Sequence, residues 1–527
     1  MVAMLRFVTL VALLAVSSAV DNPTVQLPLG SLRGTRLMYE GRAYHAYRGV
    51  PYAEPPERFK EAARKRPWSG MLDATEDGPS CLQRDAYVDD GDGAEYKGDT
   101  DCLFLNVYTP AVKGERGFPI IVYIHGGGYT SGHAGSEWVN PQYFMLKDVV
   151  VVTVAYRLGV FGSRHFLSIE GYALPAGFLC TGDDQALANL GLRDQWLALR
   201  WVRAHGPAFG GAPDRVTLMG HDAGAASVHL HMLAPVSRGL FSRAISQSGV
   251  WLDWWLGAQQ PRQSNNVGVD RVDTDDVGVA QFWSIEPLSL FRPCVDTATA
   301  SPFLPVDPLQ LLEDGQVASV PWLLGVTSDQ GLFRLAAYAQ WLSGEGACHG
   351  DDLLHLFEMP KLFPEATTTD KEAIQAMVTL WTNFAKDGYP VANRERPSGE
   401  PECWPADKPE AAGAVWPAAS EDQPWFVELR GDQRRGERLR ACPRLHLPAV
   451  HVRLRYWDQL PMAENLNLSL NYHKVQPDPK QDTREYYDAA EEPSSAPRVE
   501  LHSLLCVFHL LIIRHISPLY SISEHDR

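Results

Sequence analysis

Gly220-His221-Asp222-Ala223-Gly224 sets a carboxylate between two glycines, after the apolar run 215–219 (RVTLM) and before a run of small residues. A strand turning sharply into a helix through such a segment presents its middle side chain at the helix N-terminus. The glycines keep side chains out of the crowded turn. The N–H of the next residue, Ala223, is then aimed at charge developing beside Asp222. His125-Gly126-Gly127-Gly128, directly after 118–124 (FPIIVYI), supplies a second group of backbone donors, with Gly127 and Gly128 the candidates. The pattern is that of an oxyanion hole facing a nucleophile. Asp222, however, has no hydroxyl that a base could deprotonate for attack on an acyl carbon. A carboxylate at this place has two uses. It can attack an alkyl carbon, or it can satisfy the N–H groups of Gly127, Gly128 and Ala223 and block the site.

The elements that must hold these residues are legible as short, nearly continuous apolar runs. Residues 118–124, 148–155 (DVVVVTVA), 215–219 and 320–326 (VPWLLGV) read as buried strands, and 189–205 (NLGLRDQWLALRWVRAH) has helical apolar spacing. Strands alternating with helices predict an α/β fold with a mostly parallel central sheet covered by helices on both faces.

Beyond these motifs, GVPYAEPP (49–56), DCLFLNVYTP (101–110), AYRLGVFG (155–162), NLGLRDQWLALRWV (189–202) and SRGLFSRAISQSG (237–249) are similar to segments of one family. Over roughly residues 24–460 the chain resembles the type-B carboxylesterases and cholinesterases. The resemblance implies an α/β-hydrolase fold with an active-site gorge, a disulfide matching Cys81–Cys102, and a Ser, Glu, His triad in that chain order. Asp222 stands at the serine position. Gln330, in GVTSDQG (325–331), stands at the acid position. His349, in GACHGDDLLHLF (346–357), is the retained histidine. Glutamine can hold an imidazole N–H but cannot stabilise the imidazolium of proton transfer. Losing triad members costs about 10⁴ to 10⁶ in rate. The chain is shortened relative to the family between about 250 and 302 and between 331 and 346. Ser163–Gly177 and Ala441–Leu454 read as insertions. The loop 81–102 carries Tyr87 and Tyr96 but no tryptophan, which disfavours choline-like substrates. Its seven acidic residues read as a solvated face, and Asp90-Gly91-Asp92-Gly93 lacks EF-hand spacing.

The 527 residues carry a formal charge of −17, which argues against nucleic acid and anionic membrane surfaces as partners. Residues 1–19 read as a signal peptide, with Arg6 before an apolar stretch and small residues at 17–19. A hydrolase domain over 20–461 and an acidic, flexible tail over 462–527 follow. The tail holds the sequon Asn467-Leu468-Ser469, which predicts glycosylation at Asn467 in a secreted, extracellular protein. The apolar stretch 504–513 is too short to span a bilayer, so membrane anchoring is not expected. Secretion makes the eight cysteines candidates for disulfides, of which only Cys81–Cys102 can be paired. There is no CxxC pair, and no metal or cofactor is expected.

Three readings follow. The chain is a non-catalytic extracellular binding or adhesion protein with an unidentified protein partner, as the adhesion molecules resembling cholinesterases are. Alternatively it is a hydrolase, acting on carboxylic esters or, through Asp222 as nucleophile, on epoxide-like substrates. The third reading is a degraded gene product that folds poorly. Ser227 on the following helix, Cys348 beside His349, and the tripeptide Arg430-Gly431-Asp432 are weaker candidates. His229 and His231, two apart, do not share a helix face.

Overall fold

A mixed eight-stranded sheet forms from β1 (Thr35–Tyr39), β2 (Arg42–Pro51), β3 (Phe104–Pro110), β4 (Phe118–Ile124), β5 (Val150–Val154), β6 (Gly211–His221), β7 (Arg243–Gln247) and β8 (Trp322–Gly325). The strand order is β8-β7-β6-β4-β5-β3-β2-β1. The computed structural model describes residues 22–57, 59–84, 96–111, 117–159, 177–180, 187–251, 292–297, 299, 301–327, 349–361, 366, 368–393, 402–411, 414–417, 426–430 and 439–444. Gln330, Asn467, Cys348, Cys506, residues 1–19, 331–346 and 462–527, and most of 163–177 lie outside them, as do Gly431 and Asp432.

The five strands from β8 to β5 run parallel, with β4 paired in register to β5 (Ile124 opposite Val154) and to β6 (Ile124 opposite Gly220). Antiparallel pairs β5–β3, β3–β2 and β2–β1 extend the sheet on the other side. Parallel neighbours require crossovers, and helices supply them. Helix α1 (Leu190–His205) connects β5 to β6, and α2 (Ala223–Leu233) connects β6 to β7. The short α3 (Pro308–Glu313) precedes β8, and α4 (Thr368–Asp387) follows it.

Both faces of the sheet are covered, which is why its strands lack a polar side. In β4, Ile120, Val122 and Ile124 join the core containing Leu197 and Leu199 of α1, Val228 and Leu230 of α2, and Leu311 of α3. The alternate residues Ile121 and Tyr123 join a second core with Ile374, Met377, Trp381 and Phe384 of α4. Period-two alternation thus feeds two helix layers from one strand.

Three disulfides are formed among the described residues: Cys81–Cys102, Cys180–Cys294 and Cys403–Cys442. The last ties Trp404–Pro405 to Arg440–Arg444 within a small three-stranded sheet. That sheet accommodates the first residues of the segment read as an insertion from Ala441. A buried ion pair fixes the loop after β5. The Arg157 guanidinium donates from Nε and one terminal nitrogen to Asp194 of α1, both at 2.7 Å, and from the other nitrogen to the Lys60 carbonyl at 2.7 Å. Both side chains are fully buried. No helix among the described residues is long and apolar enough to cross a membrane.

Candidate functional site

The carboxyl ends of β4, β6 and β7 meet at Asp222. Strand β6 ends at His221, α2 begins at Ala223, and the one residue between them takes φ 54° and ψ −122°. An L-residue held there costs about 1–3 kcal/mol and persists only where its surroundings fix it. They do so: the Asp222 N–H donates to the Gln247 carbonyl of β7 at 3.0 Å, and its carbonyl accepts from Ala226 N–H at 3.0 Å. The two flanking glycines are sterically required. A Cβ on Gly224 would lie 2.1 Å from the Ile124 carbonyl oxygen, and one on Gly220 would lie 2.3 Å from the Gly224 backbone.

The loop after β4 aims its donors at this carboxylate. Gly127 and Gly128 N–H both donate to Asp222 Oδ2, at 2.8 and 2.9 Å. The oxygen that would accept charge from a substrate in an oxyanion hole is therefore the protein's own. Gly127, at φ 111°, and Gly128, at φ 58°, adopt backbone conformations suited to glycine. Tyr156 braces the loop by donating to the His125 carbonyl at 2.8 Å.

Two imidazoles flank the carboxylate. His349 Nε2 lies 3.7 Å from Asp222 Oδ1, although only 331–348 separates it from Gln330. His349 comes back to the site on a turn through Gly350, at φ 90°, ahead of the 3-10 helix Asp351–His355. His221 stacks at an angle on His349, with ring centroids 4.6 Å apart. Its Nε2 is buried and meets no hydrogen-bond partner among the described residues. Beyond His349, the Asp352 Oδ2 accepts from Gln247 Nε2 at 2.5 Å, and Gln247 Oε1 accepts from Trp381 of α4 at 3.4 Å. The second oxygen of Asp352 is buried without a hydrogen bond.

Burial decides the charges. It pushes His349 down to about 4, assisted by His221 and opposed by Asp222 and Asp352. It pushes His221 down to about 4 as well, against the pull of Asp222. Burial alone would raise the Asp222 carboxyl. The imidazoles of His349 and His221 and the N–H groups of Ala223 and Gly128 outweigh it and hold the carboxyl below its ordinary value. Near neutral pH the site is one carboxylate between two uncharged imidazoles. Asp352 is raised, chiefly by burial.

A pH prediction follows. An imidazole whose folded pKa is depressed below its unfolded value contributes stability above about pH 6.5, and that contribution is lost as pH falls toward the folded pKa. His125, His133 and His229 are also buried, with pKa values pushed down to about 4, and His231 to about 3. Each unit of depression is worth about 1.4 kcal/mol. Urea midpoints should therefore fall steeply between pH 6.5 and 4, and His221→Asn should flatten that slope. An unchanged midpoint down to pH 4.5 would contradict the assignment of neutral buried imidazoles.

The other candidates have structural places. Ser227 is fully buried in α2, where its hydroxyl donates to the Ala223 carbonyl at 2.9 Å. His231 is held between Ser237 Oγ at 2.8 Å and Gln195 Oε1 at 3.0 Å. Among the described residues no group of three histidine, cysteine or acidic side chains is placed to hold a metal. Sequence reasoning missed His221 and Asp352. The first occupies the variable place inside the glycine motif. The second follows His349 by three residues, a spacing that could have flagged it.

Comparison with known proteins agrees with this architecture. The model of the carboxylesterase family matches residues 21–275 and 339–439. A juvenile hormone esterase of Tribolium castaneum is 37% identical over 348 residues, covering 60% of this chain and 56% of that protein. An acetylcholinesterase of Electrophorus electricus is 32% identical over 421 residues, covering 72% of this chain and 62% of its own length. The chain thus spans less than two thirds of the length of either relative. Among solved structures, a Manduca sexta juvenile hormone esterase superposes with TM-score 0.56 at 24% identity, over 71% of this chain and 92% of that one. A PNB esterase gives 0.58 at 24%, over 77% and 95%. These two likenesses establish the fold, an α/β-hydrolase. From the family match, and from the identity shared with these esterases over most of the chain, this protein belongs to the carboxylesterase family.

Proposed function

We propose that this protein has lost the acyl-transfer chemistry of a serine esterase and serves as an extracellular recognition protein. One observation carries the reading: Asp222 Oδ2 accepts the N–H groups of Gly127 and Gly128 at 2.8 and 2.9 Å. An ester carbonyl entering the site finds those donors occupied, and the residue beside it has no hydroxyl. Removing a single oxyanion donor costs about 10² to 10³ in turnover. Here two are engaged, and the serine hydroxyl is absent as well.

An extracellular location is supported by three disulfides, which persist in oxidising compartments, and by the signal-like residues 1–19. The relatives include a protein named a venom carboxylesterase, from Apis mellifera. A secreted domain of this fold whose site is closed to esters is suited to binding, with an extracellular protein as its partner.

The test is hydrolysis of p-nitrophenyl butyrate by the full chain beside Asp222→Ala. Both should run at the solvent background. Turnover by the wild type that Asp222→Ala abolishes would overturn the reading.

A further inference from the structure

The same hydrogen bonds that close the site to an ester leave it open to another electrophile. Attack on an sp³ carbon builds no tetrahedral oxyanion at the carbon attacked, so the occupied donors are no obstacle. The two oxygens of Asp222 are differently placed: Oδ2 sits against Gly127 and Gly128, while Oδ1 faces His349 Nε2 at 3.7 Å. The side chains of both residues keep some solvent exposure, 14% for Asp222 and 10% for His349.

From this geometry we propose that Asp222 is a nucleophile toward neutral alkyl electrophiles, epoxides in particular, and that His349 drives hydrolysis of the enzyme ester so formed. In the first step Oδ1 bonds to an epoxide carbon. The carbon–oxygen ring bond breaks, its electron pair stays on the ring oxygen, and that oxygen takes a proton from water. Asp222 is now an alkyl ester whose carbonyl oxygen, Oδ2, already lies in the donor pocket. In the second step His349 Nε2 takes a proton from a water molecule as the water oxygen adds to Cγ. The negative charge moves onto Oδ2, where the Gly127 and Gly128 N–H groups receive it. Collapse breaks the Cγ–Oδ1 bond, and the departing diol oxygen takes the proton from His349. The regenerated carboxyl ionises and returns to solvent the proton borrowed in the first step. The net reaction is epoxide plus water to diol, and the oxyanion pocket serves the enzyme's own ester.

This assignment gives the pieces around His349 a role. Gln330 brings no charge to stabilise an imidazolium. Asp352 does: its field acts on His349, and Gln247 of β7 fixes its Oδ2 at 2.5 Å. Asp352 touches no substrate, and its part in the reaction is the charge it places near His349.

The experiment uses the full chain and styrene oxide as probe. Wild-type protein is turned over in heavy-oxygen water and digested. The peptide containing Asp222 should carry one heavy oxygen, because the water oxygen ends in the Asp222 carboxyl. In His349→Gln the second step stops, and the same peptide should accumulate one styrene oxide adduct, which Asp222→Ala prevents. Asp352→Asn should leave adduct formation unchanged and slow its decay by about ten-fold or more. Decay at the wild-type rate would remove Asp352 from the assignment. Absence of both the heavy oxygen in the wild type and the adduct in His349→Gln would overturn the proposal. Because the probe is an epoxide, this result is independent of inertness toward aryl esters.

Discussion

Asp194→Ala will lower the unfolding free energy by about 3–5 kcal/mol, because it leaves the Arg157 guanidinium fully buried and without its counter-charge. The pair is bidentate at 2.7 Å, and it also receives the Arg157 backbone N–H at 3.2 Å. It joins the segment after β5 to the first turns of α1, so its loss should loosen the helix that packs beside the α2 layer. The double replacement Arg157→Met with Asp194→Leu should cost much less than either single change, since no charge is then stranded. Urea unfolding of the three variants decides this. A loss below about 1 kcal/mol for Asp194→Ala would show that water reaches the guanidinium.

The second large effect runs toward gain of function. Asp222→Ser removes the carboxylate from Gly127 and Gly128, restores a hydroxyl at the end of β6, and leaves His349 in place. Freed donors and a nucleophile should raise p-nitrophenyl butyrate turnover about 10²-fold or more over the wild type. The variant should remain about 10⁴-fold short of a complete triad, since Gln330 supplies no charge at the acid position. Adding Gln330→Glu should recover part of that gap. If Asp222→Ser stays at background while its fold is intact, the occupied donors are not what closes the site.

The parallel half of the sheet was readable from the sequence because its strands are buried on both faces. FPIIVYI became β4 without change of boundary, and VPWLLGV contains β8. Strand β6 extends well before the apolar run 215–219, since Gly211 pairs with Phe118 across a break in register. The antiparallel strand β2 was not recognisable as a strand. Its residues RAYHAYRGVP mix charged and aromatic groups, and its pairing with β3 is interrupted between Tyr47 and Val50. Strand β7, RAISQ, carries polar residues that the tertiary structure buries: Ser246 donates to Ala225, and Gln247 reaches Asp352.

At the site, the glycine motifs announced Asp222, Gly127 and Gly128, because backbone geometry is written in glycines. The contacts of side chains were not announced. That His221 stacks on His349 depends on the fold placing a segment far along the sequence beside the end of β6. The pairings Cys180–Cys294 and Cys403–Cys442 likewise depend on which segments the fold brings together. Gln330 and Asn467 lie outside the described residues, so their roles stand as sequence expectations.

Covalent labelling by a fluorophosphonate tests the central claim most directly, because such reagents phosphonylate an activated serine and report it as one added mass on the intact chain. The account predicts that the wild type remains unlabelled and that Asp222→Ser takes up one equivalent, mapped to the peptide that begins the α2 helix. Stoichiometric labelling of the wild type, blocked by prior reaction with an aryl ester, would mean that a serine elsewhere carries the acyl-transfer chemistry and that Asp222 does not close the site.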